Sequence, residues 1–151
     1  MDKTCHLLKE SAVSAAINAL ISAAFFFGFF SINAKIPVWG LQGYAFDFVP
    51  QSFAVSLMSA LMPGLLTRKR LKESPVGGGR LPSVRGVFVA ALLWAVAGLV
   101  VGAGLAALVL KLSGIGVVAG TPALFIKVVY GASLGAIVTY WFVGRLVRNA
   151  A

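Results

Sequence analysis

The sequence predicts an all-α integral membrane protein, a four-helix bundle made of two transmembrane hairpins with both termini cytoplasmic. Three observations carry the prediction. Hydrophobic residues fill 60% of the 151 positions and charged residues only 11%, against about 25% charged in soluble domains. Residues 11–34, 48–67 and 86–110 contain no Asp, Glu, Lys or Arg, and 122–143 contains Lys127 alone. A helix needs about 20 residues to cross the hydrocarbon layer, so each run is long enough. The third observation is where the charge sits. Lys3, Lys9, Arg68, Lys69, Arg70, Lys72, Arg80, Arg85, Arg145 and Arg148 fall at the two ends or in the middle connection; only Lys35, Lys111 and Lys127 fall elsewhere. Lys and Arg are retained in the cytoplasm during insertion, which puts the termini and that connection on the cytoplasmic side. Barrel strands would alternate in polarity over about 10 residues, and these runs do not.

The first helix, 11–32, carries Ser11, Ser14, Asn18 and Ser22 at helical spacing. The run exceeds the 7 to 15 residues typical of a signal-peptide core, and its polar stripe suits a helix that stays and packs against protein. An amide at this depth without a partner costs several kcal/mol in hydrocarbon, so Asn18 must face protein or water. The outward connection, 31–47, contains Trp39, Tyr44 and Phe46 and is expected to lie along the headgroup zone.

The second helix, 48–67, follows Asp47 and presents Ser52, Ser56, Ser59 and Pro63 on one stripe. Proline removes the donor for the carbonyl four positions earlier, so a bend is expected at Pro63-Gly64. A basic cytoplasmic linker, 68–85, holds Gly77, Gly78 and Gly79; with no preceding strand and no Gly-Lys-Ser/Thr ending, the glycines read as a flexible connection and not as a phosphate loop.

The third helix, 86–110, offers Gly98 and Gly102, and the fourth, 122–143, offers Gly131, Gly135 and Thr139. Lipid tails are as apolar as leucine, so membrane helices associate through close backbone approach and polar contacts. Gly98, Gly102, Gly131, Gly135, Ser56 and Ser59 are therefore the expected packing residues. A shift of 72 residues superposes Pro50 on Pro122, Phe53 on Phe125, Ala60 on Ala132 and Thr67 on Thr139. If the hairpins are repeats, they are parallel, since each begins and ends on the same side.

Lys127 lies about 7 to 8 Å below the outer end of its helix at 1.5 Å per residue. Three roles fit it: an ion pair with Asp47, the only acid on that side; a stem that snorkels to the interface; or attraction of an anion. Glu10, at the cytoplasmic mouth, is expected to pair at the surface with Arg85, Arg145 or Arg148.

Catalysis is not expected. The chain has four acids and one histidine, too few for a metal-hydrolytic site or an acid-base pair, and Cys5-His6 lacks the further ligands of a metal centre. No cofactor is expected. Nucleic-acid binding is not expected either, because no aromatic residues interleave with the RKRLK cluster at 68–72. The expected partners are anionic lipid headgroups at the cytoplasmic face and either further copies of the chain or another membrane protein. The alternative is a small transporter or channel for an anionic or polar solute, with Lys127 at its entrance, Asn18 and the serines along its path, and Pro63 as its bend.

The tract FDFVPQSFAVSLMSALMPGLLTRKR, with the opening ESAVSAAINALISAAF, resembles small four-helix inner-membrane proteins of bacteria. The resemblance spans about the first half of the chain. It implies a bacterial inner-membrane location and this topology, and it brings no activity with it.

Overall fold

The computed structural model describes residues 3–73 and 83–150. Four helices dominate: α1 (Lys3–Phe29), α2 (Phe48–Glu73), α3 (Val84–Ser113) and α4 (Gly120–Ala150). Each contains a stretch long and apolar enough to cross a membrane.

The helices outrun the apolar stretches that announce them. α2 continues to Glu73, so the RKRLK cluster assigned to the linker is helical, with Arg70 and Lys72 in the last turn. Lys and Arg are good helix formers, and a cation at a helix C-terminus is favoured by the helix dipole. α4 likewise begins at Gly120 and carries Arg145 and Arg148 beyond the expected end at 143. α3 starts at Val84 because the Ser83 side chain caps it, accepting a hydrogen bond from the Gly86 amide at 3.0 Å. At the other end α1 stops at Phe29, short of 32, where the chain turns into a strand. Gly77, Gly78 and Gly79 lie outside the described residues.

α3 is not regular throughout. Leu99–Ala103 form a single π turn around Gly102, and the helix closes on Gly114 in the left-handed conformation, φ 66°.

Contacts between Ser14 and Ser59, Gln51 and Lys127, and Gly98 and Ser56 fix an up-down-up-down order. One pole of the bundle holds Lys3, Glu73, Val84 and Ala150; the other holds the α1–α2 and α3–α4 connections. The most extensive helix contacts are α1 with α4 and α2 with α3, with α2 against α4 at the centre. The two helices of each hairpin, α1 with α2 and α3 with α4, touch less. The two hairpins therefore interlock instead of packing each on itself.

The pole opposite the basic residues departs from an all-α expectation. Lys35–Pro37 (β1) and Val117–Ala119 (β2) pair antiparallel, Ile36 facing Val118 in register, and the ribbon ties the two connections together. Residues 38–45 fold back on β1 through Tyr44 N–H to Pro37 O and Ala45 N–H to Val38 O, both 2.9 Å. This brings Ile36, Val38 and Tyr44 under the pole, where they pack with Phe26, Phe48, Leu110, Val118 and Ala123. Tyr44, expected at the headgroup zone, is fully buried, while Trp39 and Phe46 are exposed. Connection backbone cannot remain unpaired next to hydrocarbon, and the ribbon supplies its hydrogen bonds. A second cluster, Ala60, Val87, Ala91, Val138 and Phe142, fills the basic half between α2, α3 and α4.

Candidate functional site

The buried polar residues concentrate where α1, α2 and α4 meet. At the ribbon pole the Lys127 ammonium is wholly enclosed and does not snorkel. It donates to the Asp47 carboxylate and, at 3.0 Å, to Gln51 Oε1. Asp47 and Gln51 stand four residues apart, on one face at the start of α2. Phe48, Tyr44 and Phe30 wall the ammonium with ring centroids at 5.0, 5.5 and 5.8 Å. Three electron-rich faces, one carboxylate and one amide oxygen thus replace the water that an ammonium would otherwise need.

Tyr44 is held by its hydroxyl, which donates to Ala123 O at 2.7 Å. Burial pushes that phenol well above its ordinary value, so it stays protonated and keeps donating. Gln51 completes the group from its other side: its amide nitrogen donates to Ser22 Oγ at 2.8 Å and Lys127 O at 3.3 Å.

Further toward the basic pole a second network begins. Asn18 Nδ2 reaches Ser59 Oγ at 2.7 Å, Ser14 O at 2.8 Å and Ser14 Oγ at 3.1 Å. Thr139 Oγ1 lies 2.7 Å from Ser14 Oγ and 2.9 Å from Ser59 O. The second contact explains how α2 tolerates its proline. Pro63 has no N–H for the Ser59 carbonyl, and the Thr139 hydroxyl supplies the missing donor from the neighbouring helix. The helix runs on through Pro63 to Glu73.

From Lys127 to Thr139 the polar line covers about 18 Å at 1.5 Å per residue. Ser11 and Thr67 lie nearer the basic pole, and Glu10, inside α1 there, makes a salt bridge of 2.6 Å to Arg70. That partner lies on α2, and not at Arg85, Arg145 or Arg148. Ser11 Oγ, Asn18 Oδ1, Ser56 Oγ and Thr67 Oγ1 have no hydrogen-bond partner among the described residues.

The glycines explain how the helices come close enough. A Cβ on Gly131 would collide with Ser22 Oγ, and one on Gly135 with the Asn18 amide. Across the α2–α3 seam, Gly98 receives Ser56; farther along α3, Gly102 receives the Tyr130 hydroxyl from α4, which shares a 2.6 Å hydrogen bond with Ser52 Oγ of α2.

A cavity of about 600 Å³ opens at the ribbon pole, lined among others by Phe30, Lys35, Gln42, Phe46 and Asp47. Asp47 is therefore shared between the cavity wall and the buried pair. From sequence, Gln51, Phe30 and Phe48 are not expected at a site, Tyr44 is expected at the headgroup zone, and Arg70 is expected only as a cytoplasmic charge. Gln51 carried a usable signal, being a polar residue one helical turn after the acid; the aromatic residues carried none, because only the ribbon fold brings residue 44 beside residue 127. Comparison with protein-family models, with curated proteins and with solved structures finds no match.

Proposed function

We propose that this chain is a non-catalytic multi-pass protein of the bacterial inner (plasma) membrane that acts by helix packing, as a homo-oligomer or as a small subunit of a membrane complex. Its basic pole, with both termini, faces the cytoplasm. One observation carries the reading: the strongly polar side chains of the bundle bond to one another, Lys127 to Asp47 and Gln51, Asn18 to Ser59 and Ser14. Among the described residues, the charges buried inside the bundle, Lys127 and Asp47, are paired with each other. What the molecule offers outward is apolar helix, above all α3, whose Leu93, Val100, Val109 and Leu112 are exposed. Such a surface suits lipid or other helices.

The ribbon-pole cavity favours a second reading, a small transporter or channel for an anionic or polar solute, because it brings the aqueous side to Asp47. Cross-linking in native membranes, followed by flux measurements on purified protein in liposomes, separates the two. A reproducible cross-linked oligomer or partner with no flux supports assembly. Flux of a small anion that disappears in Lys127→Ala supports transport and overturns the first reading.

A further inference from the structure

α3 and α4 touch little, and between them, on the basic half, lies a groove with a volume of about 400 Å³. Ala90, Leu93, Trp94 and Ala97 form one wall; Phe142, Leu146 and Arg145 form the other. The groove exists because α3 presents alanines where larger side chains would close the gap, while Trp94 and Phe142 meet edge to face at 6.3 Å and floor it. Ala90 to Ala97 extends about 10 Å along the helix axis at 1.5 Å per residue. That is most of the depth of one leaflet, whose hydrocarbon half-thickness is about 15 Å.

Arg145 stands at the basic end of the groove. It is exposed, and neither ion pair among the described residues, Arg70–Glu10 and Lys127–Asp47, involves it. A groove that is apolar along its length and carries an exposed guanidinium at its surface end matches one ligand chemistry: an acyl chain continuous with a phosphate. Guanidinium recognises phosphate oxygens through paired N–H donors.

We propose that this groove is a binding site for an anionic phospholipid of the leaflet at the basic pole, with one acyl chain against Trp94 and Phe142 and the headgroup phosphate on Arg145. The proposal rests on the membrane-spanning reading, but not on whether the protein assembles with a partner.

Trp94 reports on the site directly. A variant carrying Trp39→Phe and Trp141→Phe leaves it as the single tryptophan, and the full chain is placed in phosphatidylcholine bilayers containing a fixed fraction of dibrominated phosphatidylglycerol or dibrominated phosphatidylcholine. Bromine quenches on contact. The expected preference for the anionic lipid is about fivefold, the worth of one basic residue at the surface. Arg145→Gln should bring it to about one, while Lys69→Gln, which removes the same charge on the exposed side of α2, should leave it intact. Ala97→Phe, which fills the groove, should lower quenching by both lipids. Equal quenching by the two lipids in the unmodified groove would overturn the proposal, as would equal effects of Arg145→Gln and Lys69→Gln, which would mean diffuse charge attraction. So would an absence of quenching at Trp94 in a bilayer that quenches Trp141 in its own single-tryptophan variant. Failure of assembly would appear separately, as a monomer in cross-linking that keeps its lipid preference.

Discussion

The two seams that meet at α2 use opposite means. Where α1, α2 and α4 join, glycines on α4 admit polar side chains from α1, and those side chains bond across the interface. Where α2 joins α3, Gly98 admits Ser56, whose hydroxyl has no hydrogen-bond partner among the described residues, and the rest is apolar packing around Ala60, Val87 and Ala91. Close approach is common to both. Only in the first does it serve directional bonds, so the first seam should be the one that fixes register and tolerates substitution least.

Breaking the charged pair tests this most severely. Lys127→Ala leaves the Asp47 carboxylate without its counter-charge and should cost about 3 to 5 kcal/mol, read as loss of folded protein on thermal unfolding in detergent. Lys127→Gln with Asp47→Asn, which keeps shape and removes both charges, should recover most of it. No recovery would mean that the ammonium serves something other than the pair.

Glycine substitutions come next. Gly98→Ala and Gly135→Ala should each cost about 1 to 3 kcal/mol by overpacking. Ser56→Gly should rescue the first, since it removes both the Ser56 Cβ and Oγ that a Cβ at residue 98 meets, and that hydroxyl has no hydrogen-bond partner among the described residues. Asn18→Ala should fail to rescue the second, since it removes the links to Ser14 and Ser59. Equal rescue at both sites would erase the distinction between the seams.

Thr139→Val should cost about 1 to 3 kcal/mol, because it strands the Ser59 carbonyl. In a Pro63→Ala background the helix supplies its own donor, and the cost should shrink; a thermodynamic cycle measures the coupling. Additive effects would show that Thr139 acts elsewhere. The smallest effect expected is that of Glu10→Gln, about 0 to 1 kcal/mol and weakened by salt, since Arg70 is largely in solvent.

The four helices were legible because hydrocarbon imposes a length and bars charge, and both constraints show in a single sequence. Their ends were not, because Arg68–Lys72 and Arg145–Arg148 continue the helices into a zone where composition no longer discriminates helix from loop. Lys127 and Asp47 could be placed at one pole by topology alone, and the structure joins them. Their surroundings depend on the β1–β2 ribbon, three residues a strand, whose partners are about 80 positions apart. Ser56 and Ser59 looked alike on one stripe; only the identity of the facing helix, α3 for one and α1 with α4 for the other, makes the first idle and the second a junction.

The interlocked order of the helices also sets a timetable for synthesis. Asp47 and Lys127 are separated by 80 positions, and at about 5 to 20 residues per second the ribosome needs about 4 to 16 s to deliver the second after the first. Through that interval Asp47, Gln51 and Asn18 sit in a nascent chain whose remaining helices do not yet exist. The insertion machinery must shelter those groups until α4 emerges, and a transcript truncated before residue 120 yields a product that no later event can complete.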